Sequence, residues 1–511
     1  MNNDIYYRPP WTCGKYNADK KVAIMFNLLT NSDFFFEAES AAVVNLILKA
    51  GRNKQIAITD ISKTLDIAPK SVSSFCSLLV DNGLLINTPP SIEQIDSYRK
   101  YSKQYRDKDL HIGKNYDTYS KEGIDNAFMA YTKVAKGSSK IFDVMFELTY
   151  RCNEKCIHCY NPGATRNDNE RSERGKLTEL TLNDYKRIID ELCENGLTTA
   201  GITGGDPFCH KYVWEIIDYL YQKDIATTIL TNGLQLCGQE ERLASYFPNK
   251  VQLSLYSGDP KIHDAITRNK GSWEKTISVL DKLNDLSVPI DIACPIIQNN
   301  LKSYHSVKPY MKKYGSYRGF DIMITDASDG DKSPTRHSRL TKEQMEIVLT
   351  DADVMQYVSQ EKIEEIEGSR FSLHDGAPCG AITNTYCINP NGDLTPCCAF
   401  HLVLGNLSNS GFREIVDNSD YVQNWEHIKS SQYEDCYTHD YCDFCIFCPG
   451  NNYSEHGNPL KAGENNCFVA KTRYSLAMKK KNGIDILHGK TTEEYLKDIE
   501  VESHKLKKEF K

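Results

Sequence analysis

Three cysteines stand close together at Cys152, Cys156 and Cys159, spaced C-x3-C-x2-C in the stretch Glu147-Leu-Thr-Tyr-Arg-Cys152-Asn-Glu-Lys-Cys156-Ile-His-Cys159-Tyr160-Asn161-Pro162. A [4Fe–4S] cube has four iron corners and is usually held by four thiolates. Three thiolates on one loop leave one iron with an open position, and an open iron can bind and reduce a small molecule. Zinc is the plainer reading. It wants four ligands, usually in C-x2-C pairs, and His158 lies between two of the cysteines where it cannot easily close a tetrahedron. The spacing favours the cluster.

A second field of cysteines lies near the other end. Cys379 is followed by twelve residues, Gly392, four residues and Cys397; then come Cys436, Cys442, Cys445, Cys448-Pro449-Gly450 and Cys467. Zinc ribbons are again the structural alternative. The cysteines at 13, 76, 193, 209, 237, 294 and 398 show no ligand spacing and read mostly as small buried hydrophobes.

Elements must hold these groups in place. Phe142-Asp-Val-Met-Phe-Glu-Leu-Thr alternates like a strand entering a core and leads straight into the first cysteine loop. Loops at the C-terminal ends of parallel barrel strands are where active sites form. Residues 140–330 alternate strand and helix signals, as parallel β/α units do. Further strands end at Thr203-Gly204-Gly205-Asp206-Pro207, at Asn232-Gly233 and at Ser254-Leu-Tyr256-Ser257. Ile290-Asp-Ile-Ala and Phe320-Asp-Ile-Met-Ile-Thr read as the fifth and sixth. Six units predict a partial (β/α)6 barrel of the TIM type, an α/β fold. Gly204 and Gly205 let backbone approach a ligand, and Asp206 follows to accept an ammonium group.

The whole chain has 511 residues, too many for one core, so three or four domains are expected. A net charge of −8 argues against general nucleic-acid binding. Met1 to Pro10 holds no apolar signal region, and the apolar run Ala41 to Leu48 is broken by Asn45, so neither secretion nor a membrane span is expected. Eighteen cysteines without a signal read as ligands and buried thiols of a reduced, cytoplasmic protein.

Residues 1–105 form the first unit, with a compact part at 20–90. Val22–Leu29 and Phe34–Glu39 read as a hairpin; Ser40 caps a helix ending at Gly51; helices follow at Ile58–Leu65 and Lys70–Asp81, with Pro69 starting the last and Gly83 ending it. This is a winged-helix pattern. A DNA-binding role is disfavoured, because Lys70–Asp81 has one basic residue and no Arg, Asn or Gln to read bases. Residues 106–139 read as a linker, 331–376 as a bridging segment with a long helix from Thr341 to about Glu365, and 471–511 as a charged helical tail with a solvated face.

The C-x3-C-x2-C loop resembles the signature of radical S-adenosylmethionine (SAM) enzymes, and the cysteines from 379 to 467 resemble a SPASM domain. The first unit resembles the PqqD-like recognition domain at the front of many ribosomal-peptide maturases. The resemblance implies that Cys152, Cys156 and Cys159 hold a SAM-binding [4Fe–4S] cluster and that two more clusters bind the second field. Gly204-Gly205-Asp206-Pro207 is similar to the Gly-Gly-Glu-Pro motif that holds the SAM amine, with Asp206 in place of Glu. Ser254 and Arg268 match positions that contact the ribose or methionyl part and the carboxylate, and Tyr160 is placed with the cofactor. By family order the first auxiliary cluster uses Cys379, Cys397 and Cys448, with Cys387 reaching in as the fourth ligand. The second uses Cys436, Cys445 and Cys467; the family's remaining position is His439, and Cys442 is favoured in its place because thiolate is the commoner ligand. The implied activity is hydrogen abstraction from a ribosomally made precursor peptide, bound through its leader. It ends in a thioether or a carbon–carbon or carbon–oxygen crosslink, with a flavodoxin- or ferredoxin-type electron donor. Rival readings are a sulfatase-maturase-like formylglycine-forming enzyme, a peptide epimerase, and a cluster-containing DNA-binding regulator. No nucleic acid or membrane partner is expected.

Overall fold

A computed structural model describes residues 5–111, 127–161, 178–316, 320–327, 332, 337–351, 375–436, 439–445 and 447–484. The first strand, β1 (Ile5–Tyr7), is followed by β2 (Thr12–Asn17), β3 (Val22–Asn27) and β4 (Ser32–Glu37), which form an antiparallel sheet in the order β2-β3-β4. Helices follow at Ala38–Ala50, Ile58–Leu65 and Pro69–Asp81, with β5 (Gln55–Ala57) paired back on β1. The expected hairpin is therefore β3 and β4, but a third strand flanks β3. That strand, Thr-Cys-Gly-Lys-Tyr-Asn, has no apolar alternation to reveal it. Its Gly14 permits close pairing, since a Cβ there would lie 2.3 Å from the Ile24 carbonyl oxygen. Ser40 is not the cap of the first helix. Glu37 holds that position, and Ser40 sits inside, its hydroxyl bonded back to the Glu37 carbonyl at 2.7 Å.

Every residue of β3 is buried, because both sheet faces are covered. Ala23 and Met25 pack with Val44, Ile47 and Leu79 of the unit's own helices. Val22, Ile24 and Phe26, with Trp11 of the same unit, share a second core with Phe142, Ala226 and Phe247 of the next unit. The fully buried Arg8 pairs with Asp224, and Arg52 lies 3.4 Å from the same carboxylate with its guanidinium 3.7 Å over the Tyr221 ring. The stretch expected as a linker forms helices Ile92–His111 and Ala127–Ala135 in its described parts.

Five parallel strands come next: β6 (Asp143–Glu147), β7 (Thr199–Thr203), β8 (Ala226–Thr231), β9 (Lys250–Ser254) and β10 (Ile290–Ala293). Crossover helices such as Leu182–Glu194 and Ser272–Asp285 cover the sheet. The sixth strand is reduced to one parallel bridge, Pro295 to Asp321. Proline has no N–H to extend a ladder, so the line of β10 stops there. The opposite edge gains β11 (Thr385–Ile388), parallel to β6, then β12 (Asp393–Thr395) and β13 (Gly405–Asn406), both antiparallel. The sheet is thus eight strands in the order β10-β9-β8-β7-β6-β11-β12-β13.

The bridging helix is short in its described part, Lys342–Leu349, with Thr341 and Gln344 capping each other; the rest of the expected long helix, from residue 352 to about 365, lies outside the described residues. The tail differs from expectation. Helix Glu464–Lys481 begins before residue 471 and buries Val469, Ala470, Leu476 and Ala477, so it is a core helix rather than a solvated one. Residues 485–511 lie outside the described residues. No described helix is long and apolar enough to cross a membrane.

Candidate active site

The loop that leaves β6 is laid across the C-terminal ends of the neighbouring strands. Two glycines make this possible. A Cβ on Gly204, whose φ is +132°, would lie 2.3 Å from the Thr149 carbonyl oxygen, and one on Gly205 would lie 2.4 Å from that of Arg151. Amides of Gly205 and Asp206 donate to those same two carbonyls at 2.7 and 3.0 Å. The two glycines thus bring the backbone close to the cysteine loop itself. On the far side the loop meets the end of helix Pro260–Thr267. The last carbonyls of a helix lack partners within it; here Ile266 and Thr267 accept from the amides of Ile157 and Lys155 at 3.0 Å each.

The three thiols are flanked by donors. The Glu154 amide lies 3.4 Å from Cys152 Sγ, the Asn161 amide 3.4 Å from Cys159 Sγ, and Asn232 Nδ2 3.5 Å from Cys152 Sγ. The Tyr256 hydroxyl is 3.9 Å from Cys156 Sγ. Burial pushes the Cys159 thiol up to about 11 and raises those of Cys152 and Cys156 as well. N–H groups aimed at sulfur favour the thiolate that ligation needs, and hydrogen bonds to sulfur are a known control on cluster potential. Among the described residues no three His, Cys, Asp or Glu side chains converge closely enough for a single metal ion. A cube spreads its thiolates over four irons, so the grouping fits a cluster rather than zinc. His158 is set apart: its ring meets Tyr256 edge-on, centroids 4.9 Å apart, and burial lowers its pKa to about 4.

Asp206 is fully buried. It accepts from the Phe208 amide at 3.0 Å, the Thr231 hydroxyl at 2.6 Å and the Asn232 amide at 3.0 Å. Three of a carboxylate's roughly four acceptor positions are thus used inside the protein. Ser254 ends β9 and hydrogen-bonds the Tyr256 phenol, which places it beside Cys156. Arg268 is exposed at the left-handed cap of helix Pro260–Thr267, φ +52°, with no side-chain partner among the described residues. Tyr160 donates to Glu147 Oε1 at 3.0 Å, on the side of Cys387 and Cys398. Gly204, Gly205, Asp206 and Ser254 are thus brought to the loop, while Tyr160 bonds to Glu147 and Arg268 is exposed at the end of a helix.

Sequence reasoning did not single out Asn232, Glu154, His263 or Ser272. Asn232 donates to Asn153 Oδ1 at 2.6 Å as well as to Cys152, and Glu154 Oε2 lies 3.5 Å from Cys156 Sγ. Their visible signals were slight: a polar residue just past a strand, and an acid inside a cysteine loop.

In the second field, Cys436, Cys442, Cys445 and Cys467 line one small cavity with Tyr441, Phe447 and Ala470. His439 is not among its walls; its ring stacks on Tyr441, centroids 4.8 Å apart. Cys379, Cys397 and Cys448 form the other group, with burial pushing Cys397 up to about 12 and the other two thiols beside it. Pro449 opens a helix at Cys448, and a Cβ on Gly450 would lie 2.6 Å from the Ala399 carbonyl oxygen, which is how Cys448 is brought beside Cys397. Cys387 sits fully buried on β11, with Glu147, Cys398 and Cys397 as neighbours. Partly buried Cys398 has Cys397 and Cys448 beside it.

A parallel half-barrel carrying a three-thiol loop at its C-terminal face, with two more thiol groups in an appended domain, defines an iron–sulfur enzyme that activates a small cofactor at an open iron. Residues 146–302 match the radical SAM superfamily and residues 379–449 the SPASM iron–sulfur cluster-binding domain. The chain carries a radical SAM domain and a SPASM domain and is an enzyme; it uses SAM, a [4Fe–4S] cluster and auxiliary iron–sulfur clusters. It is 26% identical over 336 residues to the antilisterial bacteriocin subtilosin biosynthesis protein AlbA of Bacillus subtilis (strain 168), covering 64% of this chain and 71% of that one. It is 24% identical over 339 residues to the AdoMet-dependent heme synthase of Methanosarcina barkeri, covering 62% and 94%. Among solved structures, SuiB of Streptococcus suis bound to precursor peptide SuiA shares the fold, with a TM-score of 0.51 at 14% identity over 90% of this chain and 99% of that one.

Proposed function

We propose that the chain modifies a ribosomally made precursor peptide, joining two of its side chains through a thioether or a carbon–carbon or carbon–oxygen bond. The observation that carries this reading is the pair of thiol groups beyond the radical loop. Closing such a bond removes two hydrogens from the peptide. One leaves as an atom, taken by the carbon radical that SAM and the reduced cluster supply when bound. The other leaves as a proton and an electron, and the electron needs an acceptor. Cys379, Cys387, Cys397 and Cys448, and Cys436, Cys442, Cys445 and Cys467, would hold the clusters that supply such an acceptor. A flavodoxin- or ferredoxin-type protein returns one electron to the radical cluster for each turnover.

A peptide substrate is supported by the likeness to a bacteriocin biosynthesis protein and by the first unit. Within the described residues β4 pairs only with β3, which leaves its outer edge open for strand addition. Helix Pro69–Asp81 walls that edge: Phe75 meets Phe36 edge-on at 5.8 Å, and Leu78, one turn on, is 55% exposed. A leader peptide lies along this groove. The test is to incubate anaerobically reconstituted protein with SAM, reductant and the peptide of a neighbouring short reading frame. A product lighter by two hydrogens, formed only when the leader is attached, is expected. Turnover of a porphyrin with none of the peptide would replace this reading by that of the heme-synthase relative.

A further inference from the structure

A buried chain of hydrogen bonds runs from β9 to the radical loop. The Tyr256 amide donates to His263 Nδ1 at 3.3 Å. That fixes the tautomer, so Nε2 carries the ring proton. His263 Nε2 lies 3.2 Å from Ser272 Oγ, and the Ser272 hydroxyl donates to Glu154 Oε1 in a short hydrogen bond. The other carboxyl oxygen, Oε2, accepts from the Cys156 thiol at 3.5 Å. His263, Ser272 and Glu154 are 1%, 0% and 3% exposed.

The simpler account is that this chain merely ties helix Pro260–Thr267 to the helix after it. Asp264 already does so, accepting from the amides of Gly271 at 2.7 Å and Trp273 at 3.0 Å. Nor does packing call for Glu154. Burying a carboxyl group is costly unless it is paired, and no cation forms an ion pair with it among the described residues. An apolar residue would fill the same space without that cost. What the carboxyl adds is a polar contact on the sulfur of one cysteine, held in direction by two residues from two other helices.

We propose that His263 and Ser272 are positioning residues which hold the Glu154 carboxyl group against the Cys156 sulfur and so tune the reduction potential of the radical cluster. The physical basis is general: outer residues that orient the groups around a ligand, and the local charge they fix there, tune a metal centre. The inference rests on Cys156 ligating that cluster and is independent of the peptide chemistry.

The test uses the full chain, reconstituted anaerobically as wild type, Ser272→Ala, Ser272→Thr and Glu154→Gln. The readouts are iron content and the electron paramagnetic resonance signal that responds to added SAM, titrated against potential. Ser272→Ala and Glu154→Gln are each expected to displace that signal and its midpoint potential while auxiliary signals stay put, and Ser272→Thr to restore both. Selective loss of about four of about twelve irons, those of the radical cluster, in Ser272→Ala or Glu154→Gln would equally support the role. Unchanged signal and potential in both variants, or loss of all iron in both, would overturn it. A Cys156→Ala protein that keeps the SAM-responsive signal would instead refute the ligand on which the inference rests.

Discussion

Gly204 shows how little freedom the radical loop allows. Its φ of +132° is open to glycine and strained for other residues, and the Thr149 carbonyl occupies the space a side chain would take. Gly204→Ala should therefore cost at least about 1–3 kcal/mol in strain alone. It should also displace Thr149 to Arg151, and iron counting should show loss of the radical cluster with auxiliary iron kept. Full iron in that variant would show that the loop tolerates the shift. Asp206 poses a different question, because its carboxylate already accepts three protein hydrogen bonds. Asp206→Asn keeps the shape but turns donors toward donors. Denaturant unfolding without SAM should show a loss of about 1–3 kcal/mol. Unaltered stability would mean those bonds contribute nothing and leave SAM as the sole client of Asp206. The cysteines were legible in the sequence because ligand spacing is local. Asn232 and Ser272 were not: they stand 80 and 118 residues from the loop atoms they touch, and only the folded barrel unites them.

At the scale of elements, the short turn Asp440–Phe444 decides how the second auxiliary group closes. It turns Cys442 into the cavity with Cys436, Cys445 and Cys467 and leaves His439 on Tyr441 outside. Cys442→Ala should lose about four irons and His439→Ala none; the reverse result would return the family's own position to the ligand set. Strand β11 frames a parallel comparison for the first group, with Cys387 and Cys398 both beside Cys397. Cys387→Ala should lose iron and Cys398→Ala should not, and the opposite pattern would hand the fourth place to Cys398. Five barrel strands were legible because short apolar stretches, some of them alternating, end in glycine- or serine-containing loops. The sixth failed at Pro295, β2 lacked a pattern, and the basic run after Met478 hid the fact that one face of the tail helix lies in the core.

For the whole molecule, the main surprise is how firmly the first unit is joined to the barrel. Two-layer sequence signals suggested a separable module. The two share a core through Trp11, Ile24, Phe142 and Phe247, and Arg8 is buried against Asp224. Removing residues 1–100 would therefore strip the barrel's lower face, and a clean excision that leaves SAM cleavage intact is not expected. Asp224→Ala would leave the Arg8 charge buried without its partner, at a cost of about 3–5 kcal/mol. Calorimetry should show both units losing stability together; destabilisation of the first unit alone would mean they fold separately. The groove is open to a gentler probe. Leu78→Glu should raise KM for the leader-bearing peptide by roughly tenfold, about 1.4 kcal/mol, with uncoupled SAM cleavage unchanged.

The pairing of β11 with β6 sets a clock on the birth of the enzyme. Thr385 and Asp143, joined side chain to side chain at 3.0 Å, are 242 residues apart. A ribosome adds roughly 5–20 residues per second, so β6 waits about 12–48 s for its neighbour. During that wait one side of the nascent barrel is an open strand edge, the kind of surface that pairs with other chains. A chaperone or a slow, cool expression regime has the most to offer in that interval. Iron delivered before it ends meets a loop whose supporting strand is still half paired. A transcript cut after residue 376 should yield aggregated protein even though every ligand of the radical cluster has already been made.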